Sequence, residues 1–261
     1  MAGFLRVLQP AETVMLHHRK EEIIMTVITY NLIKSALPGI TDKARPYLDI
    51  CEEYFQKWGI VSDLEKVHAL AQATHECGDF VKLVESFAYS KDRMVAIFPS
   101  KFGKKVQKDT NGDGVMEVVI VAVPELVEKY YGKPEDFASY VYANKNGNGD
   151  EASRDGWSYR GRCPTHLTGR ANYRDTGRRI GVDLENNPDL AASDPRIGWD
   201  IFGDFWKTRK IGDPARKDNL TAVTKLINGG TIGIEQRNDR LIKLKKAFGL
   251  PYNVIPKTPM V

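Results

Sequence analysis

The sequence predicts a mainly helical domain that carries one small β-hairpin, and three observations indicate this fold class. Apolar residues recur at helical spacing along most of the chain, and several of these segments begin at a capping residue or a proline. One segment, KKVQKDTNGDGVMEVVIVAV, differs in having β-rich arms around an Asp-Gly turn. The composition, with 42% hydrophobic and 28% charged residues, is that of a globular protein.

The first two helices are predicted from capping residues and apolar spacing. The segment TDKARPYLDICEEYFQKWGI follows a Thr41 cap and has apolar residues at helical intervals. The segment SDLEKVHALAQATHECG opens on a capping box of Ser62 and Glu65 and ends at Gly78, with its apolar residues along one face. Later helices are predicted over residues 124–131, 134–143, 170–180, 194–208, 220–228 and 234–248.

One long loop interrupts the helical pattern. The segment NKNGNGDEASRDGWSYRGRCPTHLTG is rich in glycine, and loops of this length in compact domains are usually functional. No internal repeat or low-complexity linker divides the chain, so residues 25–261 are expected to form one domain. The protein is expected to be a monomer.

The first 24 residues are expected to be a leader outside this fold, since they share no cap or period with it. The codons of Lys20, Glu21 and Glu22 can form a purine-rich string like a bacterial ribosome-binding site, at a distance that suits a start at Met25. The alternative is a genuine amphipathic N-terminal segment. Neither interpretation includes a secretory signal, because a sustained apolar stretch is absent from these residues.

The composition also narrows the function classes. The sequence has no run of about 18 apolar residues, which excludes a membrane-spanning helix. Three cysteines make an odd, sparse set, which favours a reducing compartment over a disulfide framework. A net charge of +4 suits an anionic polymer but is too weak to indicate nucleic acid.

Two carboxylates, Glu76 and Glu85, are candidates for acid–base chemistry. Nine residues on one helix would place them on opposite faces, but a break at Gly78 would let both line one cleft. His75 and Cys77 would desolvate Glu76 and favour its protonated form, whereas Glu85 would stay ionised. A protonated acid and an ionised base are what glycosidic hydrolysis requires. The spacing alone leaves surface and capping roles open.

Four ordered blocks between residues 63 and 248 resemble glycoside hydrolase family 19. YRGRCPTHLTGRANY is similar to the family signature GRG-P-I-Q-L-T-G-x-x-N-Y, and HECGDF…ESFAYS resembles HESGGF…ENFNYS of its phage endolysins. VTKLINGGTIGIEQRNDR resembles the block INGG-x-NG-x-x-x-R, and GVDLENNPDLAASDP is similar to the segment before it. The family contains plant-type chitinases and lysozyme-like endolysins of phages that infect Gram-negative bacteria.

The resemblance implies a lysozyme-like α+β fold with the hairpin beside the catalytic cleft. It implies that Glu76 is the general acid, Glu85 the general base, and Thr168 a residue that holds the attacking water. An inverting hydrolase of this kind needs its carboxyl groups ~6.5–9.5 Å apart. The remaining implied substrate-binding or cleft-shaping residues are Tyr159, Arg162, His166, Asn172, Asn228 and Arg237.

The chain departs from the family pattern at four positions near the predicted cleft. Cys163 and Thr165 replace a glycine and an isoleucine, and His166 replaces a substrate-binding glutamine. Cys77 stands where serine or threonine is usual, so Cys77 and Cys163 are expected near each other, with pairing left open. His166 would make cleft affinity depend on pH, because histidine changes charge near neutrality.

The main rival is a zinc-dependent peptidoglycan peptidase or amidase. HECGD begins like H-E-x-x-H but has aspartate at its fifth position, so only an irregular zinc site remains, from His68, His75, His166, Cys77 and Cys163. A sugar-binding module without catalysis is disfavoured by the presence of both glutamates. A chitinase is the alternative within the family.

Two features suggest further contacts. DTNGDG places Asp109, Asn111 and Asp113 like the start of a calcium loop, although Ile120 stands at the twelfth position and a plain turn is the simpler interpretation. No other cofactor is expected. The basic terminal helix could contact anionic outer-membrane lipid or remain solvated, and its cations are Arg237, Arg240, Lys243, Lys245 and Lys246.

From the sequence, the chain is interpreted as a phage-type endolysin that cleaves the β-1,4 glycan backbone of peptidoglycan, as an N-acetylmuramidase. Such an enzyme would accumulate in the host cytoplasm and reach the wall through a separate pore-forming protein.

Overall fold

The computed structural model describes residues 25–252, so the predicted leader lies outside the described residues. It contains helices and one two-stranded antiparallel sheet, in the following order: α1 Tyr30–Ala36, α2 Arg45–Leu48, α3 Cys51–Lys57, α4 Asp63–Glu76, α5 Lys91–Ile97, α6 Pro99–Phe102, β1 Gly103–Lys108, β2 Glu117–Ala122, α7 Pro124–Tyr130, α8 Pro134–Val141, α9 Asp155–Ser158, α10 Arg170–Ile180, α11 Leu190–Ser193, α12 Pro195–Thr208, α13 Gly212–Arg216, α14 Leu220–Asn228 and α15 Ile234–Ala247. Short 3₁₀ turns cover Asp42–Ala44 and Glu151–Ser153.

The mainly helical fold and the hairpin are as predicted, and the six later helices end within two residues of their expected bounds. The first predicted helix is instead a 3₁₀ turn followed by α2 and α3. Pro46 lacks the amide that would bond the Asp42 carbonyl, so a continuous helix cannot run through this point.

The helix α4 is central, and its environment corrects two predictions. It is buried all round rather than along one face, because α13, α14 and α15 pack around it. Ser62 does cap the helix by accepting from the Glu65 amide. The Glu65 carboxylate does not return the bond, since it is buried and accepts from Trp206 Nε1 at 2.9 Å and Arg216 Nη1 at 2.9 Å.

Three buried clusters form the core. The largest joins α1–α4 with α12–α15, around residues such as Phe55, Leu70 and Trp199. A second joins α5–α8 and includes Phe102 and Phe137. A third packs the long loop against α10–α12 and includes the aromatic, aliphatic and thiol side chains of Tyr159, Cys163, Tyr173, Leu184, Ala191 and Ile201. Within residues 25–252, no helix has the length and apolar character needed to cross a membrane.

Candidate active site

A turn in the left-handed backbone conformation follows α4 and sets the course of the chain from Glu76 to Glu85. Glu76 is the last residue of the helix, and Gly78, Asp79 and Phe80 follow with φ of 52°, 60° and 63°. This conformation is unfavourable for the two non-glycine residues. It is held because Phe80 is buried, stacking on Tyr47, and because Arg240 Nη1 donates to the Asp79 carboxylate at 2.5 Å.

Glu76 is paired with a buried cation. Arg237 Nη2 donates to Glu76 Oε1, and Arg237 Nη1 donates to the Gln72 side chain one helical turn earlier. Arg237 is only 2% exposed, while the Glu76 side chain keeps 23% of its surface in contact with solvent. The apolar setting predicted for Glu76 is therefore wrong, because α15 packs on α4 and brings a guanidinium to it.

Glu85 is held by neutral donors on the other side of the turn. Tyr142 Oη donates to Glu85 Oε1 at 2.8 Å, and the Gly161 amide donates to Glu85 Oε2 at 3.2 Å. The Glu85 amide in turn donates to the Gly161 carbonyl at 2.8 Å, so the long loop binds this segment as a short strand pair. Burial raises the pKa of the Tyr142 hydroxyl, and the adjacent Glu85 carboxylate raises it further, so Tyr142 remains a donor.

Thr168 lies beside Glu85. A Cβ placed on Gly161 would be 3.2 Å from Glu85 Oε2 and 3.2 Å from Thr168 Oγ1, so the carboxylate and the hydroxyl are at most twice that distance apart. The Thr168 hydroxyl donates its proton to the His166 carbonyl at 2.8 Å. Its oxygen is consequently left as an acceptor. A side chain at position 161 would occupy the space between the two groups.

Arg162 and Tyr159 support this loop from inside. Arg162 is 2% exposed, and its guanidinium donates to the Tyr173 hydroxyl at 3.0 Å and to Asp189 at 2.5 Å. The Tyr159 hydroxyl donates to the Glu185 carbonyl at 2.9 Å. Both were expected at the cleft floor, but their polar atoms are engaged within the protein and they act as a scaffold beneath it.

A groove of about 430 Å³ begins at Thr168 and runs between α10, α12 and α14. Of the predicted substrate-binding residues, His166 and Asn172 line it. His166 has a φ of 50° and its Nε2 has no hydrogen-bond partner within the described residues. Asn172 also braces the loop, since its Nδ2 donates to the Thr168 carbonyl at 2.7 Å.

Asn228 and Arg237 do not line this groove. The Asn228 side chain closes the turn after α14 by accepting from the Gly230 amide at 2.8 Å and donating to the Ile232 carbonyl at 2.9 Å. Arg237 is buried behind Glu76, so we correct its expected sugar contact to a role in holding that carboxylate.

The cysteines are free thiols, so Cys77 and Cys163 are not paired. Burial raises the pKa of Cys77 to about 12 and also raises the pKa of Cys163. The Cys77 thiol donates to the Ala73 carbonyl, and Cys163 Sγ lies 3.2 Å from Thr165 Oγ1. Both thiols are therefore packed and protonated at neutral pH.

The side chains considered for an irregular zinc site do not form a cluster suited to a metal ion within the described residues. The buried His68 has its Nε2 2.9 Å from Asp218 Oδ1. Burial lowers the pKa of His68, which keeps the ring neutral. Among residues 25–252, no three or more His, Cys, Asp or Glu side chains form a group suited to a metal ion. This contradicts the zinc arrangement considered from the sequence.

The carboxylates of the hairpin turn accept hydrogen bonds from groups within the same turn. Asp109 accepts from the amides of Gly112 at 2.6 Å and Gly114 at 2.9 Å, and these bonds lower its pKa. Asn111 Nδ2 donates to Asp113 Oδ2 at 3.0 Å. These contacts favour the plain turn over the calcium loop.

The basic terminal helix does not present a free cationic face. Arg237 and Lys245 are buried, and Lys245 donates to Asp218. Arg240 and Lys243 pair with Asp79 and Asp239, while Lys246 lies over the Tyr252 ring at 4.8 Å. Intramolecular carboxylates therefore pair with four of the five cations, and the contact with anionic lipid stays a prediction.

Sequence reasoning missed three residues that support the glutamates, namely Tyr142, Gln72 and Gly161. Gly161 belongs to the signature block, so that block could have indicated it. Tyr142 and Gln72 lie in ordinary helical patterns, and nothing in their local sequence marks them.

Comparison with known proteins gives consistent matches. The family model for class I chitinases of glycoside hydrolase family 19 matches residues 125–239, a range that includes Thr168 but neither glutamate. A glycosyl hydrolase family 19 domain-containing protein of Haemophilus influenzae is 32% identical over 182 residues, covering 70% of this chain and 79% of that protein. Endochitinase 1 of Theobroma cacao is 48% identical over 94 residues, but the match covers only 29% of each chain.

Solved structures share the fold. Chitinase C of Streptomyces griseus superposes with a TM-score of 0.50 and 15% identity, over 86% of this chain and 77% of that one. A bacterial family 19 chitinase gives a TM-score of 0.50 and 18% identity, over 87% and 97%.

Proposed function

The chain belongs to glycoside hydrolase family 19, and we propose that it hydrolyses the β-1,4 glycan backbone of peptidoglycan as an inverting N-acetylmuramidase. The observation that carries the proposal is the corner where Glu85, the Gly161 backbone and the Thr168 hydroxyl meet. A carboxylate and a hydroxyl acceptor side by side are suited to bind the two hydrogens of one water molecule. Such a water directs its lone pairs away from both groups, toward a sugar in the cleft.

In the proposed reaction, Glu85 accepts one proton from this water as the water oxygen bonds to the anomeric carbon. Thr168 accepts a hydrogen bond from the other hydrogen, because its own proton is donated to the His166 carbonyl. The bond from the anomeric carbon to the leaving sugar breaks, and Glu76 gives its proton to the departing oxygen. Inversion of a β-linkage yields a product of α configuration.

Arg237 would contribute at the last step. As Glu76 gives up its proton, a carboxylate forms next to a guanidinium that is buried and fixed by Gln72. Charge that develops next to a pre-positioned cation is stabilised without reorganisation of the site. The same contact holds the Glu76 carboxyl group in one orientation for the substrate.

Peptidoglycan is favoured as the substrate by the segment that carries both glutamates, which resembles that of lysozyme-like endolysins. The three cysteines, which are buried thiols, suit accumulation in a reducing host cytoplasm. We propose that the enzyme waits there until a separate pore-forming protein admits it to the wall, where hydrolysis lyses the cell. A chitinase is the second candidate, favoured by the local 48% identity to a plant endochitinase.

Mass spectrometry of digested peptidoglycan tests the proposal. A muramidase produces new reducing-end muramic acid, and the Glu85→Gln variant should release far less of it, because the water has lost its base. New reducing-end glucosamine would indicate the other glycosidic bond, and freed peptides would indicate a peptidase. Cleavage of chitin oligosaccharides with intact peptidoglycan would assign the chain to the chitinases and overturn the wall substrate.

A further inference from the structure

The groove beside Thr168 has a composition that suits a substituted glycan. Asparagine and threonine side chains offer hydrogen bonds to sugar hydroxyl and amide groups, and Leu167, Ile201 and Ile227 supply apolar surface. Its volume of about 430 Å³ lies within the usual range for ligand sites.

The arginine and aspartate side chains that line the groove give it a net positive charge. Arg179, Asp204 and Arg209 are the charged residues among those that line it in the described part of the chain. Arg179 is neutralised locally, since its Nε and Nη2 donate to both oxygens of the nearly buried Asp204 at 2.8–3.0 Å. Arg209 is left as the cation in excess, and the only hydrogen bond of its guanidinium among the described residues is to the Leu226 carbonyl at 3.2 Å.

Within the part of the chain that the structure describes, Arg209 is held in place by contacts that use only one of its guanidinium nitrogens as a hydrogen-bond donor. Its guanidinium lies over the Phe205 ring at 4.3 Å, and the bond to Leu226 uses Nη1. A planar guanidinium that is stacked on one face and fixed at one nitrogen keeps its other N–H groups for a ligand. Arginine binds carboxylates through two such groups at once.

We propose that Arg209 is a specificity-determining residue that binds a carboxylate carried by the glycan's lactyl-peptide substituent, and so favours peptidoglycan over neutral chitin. This inference rests on the proposed function. Chitin has no carboxylate, whereas peptidoglycan carries them on its stem peptides, and on the lactyl group itself once the peptide is removed. Both sources present the same chemistry to Arg209.

Binding to a catalytically inactive background tests the inference independently of cleavage. Calorimetry on the Glu85→Gln protein would compare three soluble ligands: chitotetraose, a peptidoglycan tetrasaccharide with stem peptides, and the same tetrasaccharide after amidase treatment. Adding Arg209→Gln should weaken binding of the peptide-bearing ligand about 10-fold, as for loss of a charged hydrogen bond. The ratio of its Kd to that of chitotetraose should rise by the same factor.

Arg178→Gln is the matched control, because Arg178 is exposed on α10 and does not line the groove. It should leave the Kd ratio unchanged. Arg209→Lys should give an intermediate ratio, since it keeps the charge but loses the planar fork. The amidase-treated ligand identifies the source of the carboxylate. If Arg209→Gln weakens binding of that ligand too, Arg209 contacts the lactyl carboxylate, and if it weakens binding of the peptide-bearing ligand alone, Arg209 contacts the stem peptide.

Two results would overturn the inference. One is an equal loss of affinity for chitotetraose and the peptide-bearing ligand, which would mean that Arg209 only supports the groove. The other is no preference for either charged ligand in the Glu85→Gln parent. Failure of the proposed function would appear separately, as intact peptidoglycan in the mass spectra of the wild-type digest.

Discussion

The two glutamates occupy opposite kinds of environment, although only nine residues separate them. Glu76 ends a fully buried helix and faces a buried guanidinium from α15. Glu85 lies on an extended segment and accepts from a tyrosine hydroxyl and a backbone amide. Glu76 is supported by a charge from α15, and Glu85 by neutral donors from the C-terminal end of α8 and from the long loop.

This difference matches two different tasks in the proposed reaction. A group that becomes negative as it gives up a proton gains from a fixed cation. A base that takes a proton is better held by neutral donors, which fix its orientation beside Thr168 without adding a cation. The comparison predicts that changes on the Glu76 side and changes on the Glu85 side should have distinguishable effects.

The largest effect is expected from Glu76→Gln. An amide of the same shape cannot supply the leaving-group proton, so hydrolysis should fall by ~10²–10⁴-fold. The rate would be measured on outer-membrane-permeabilised cells, with circular dichroism to verify the fold. A rate near that of the wild type would remove Glu76 from the reaction.

Arg237→Met should be the next largest. It leaves Glu76 and Gln72 without their shared donor, and breaking a buried ion pair costs about 3–5 kcal/mol, less here because Glu76 is partly exposed. We expect lower kcat and a lower Tm. The control is Arg240→Met, which removes the partner of Asp79 and should lower Tm with a smaller loss of kcat. Equal kcat for the two variants would mean that Arg237 only stabilises the fold.

Tyr142→Phe should have a moderate effect, about 10-fold in kcat, because Glu85 loses one of its two donors. KM should change little, since the tyrosine is directed at the carboxylate. Tyr140→Phe is the matched control, because the Tyr140 hydroxyl donates to the Lys101 carbonyl and not to Glu85. A rise in KM alone would assign Tyr142 to substrate contact.

Thr168→Ala should be the mildest change, lowering kcat by less than about 10-fold, since it removes one neutral hydrogen bond and leaves both carboxylates. Thr168→Ser keeps the hydroxyl and should restore most of the rate. If serine is no better than alanine, the hydroxyl is not what position 168 contributes.

The sequence was sufficient where local rules decide the structure. Helices that begin at Pro124 and Pro134, and the hairpin around Asp-Gly, follow from capping and turn chemistry and are confirmed. It was insufficient where a contact spans the chain: Arg237 reaches Glu76 from 161 residues away, and Tyr142 reaches Glu85 from 57. The buried role of Glu65 was missed for the same reason.

The first-formed product tests the central claim most directly. Proton NMR recorded during hydrolysis of a soluble glycan, before mutarotation, reports the anomeric configuration of the new reducing end. An acid at Glu76 and a water held by Glu85 and Thr168 predict the α anomer. The β anomer would contradict the account, because retention requires another group, a carboxylate or the substrate's own acetamido oxygen, to attack the sugar before water does.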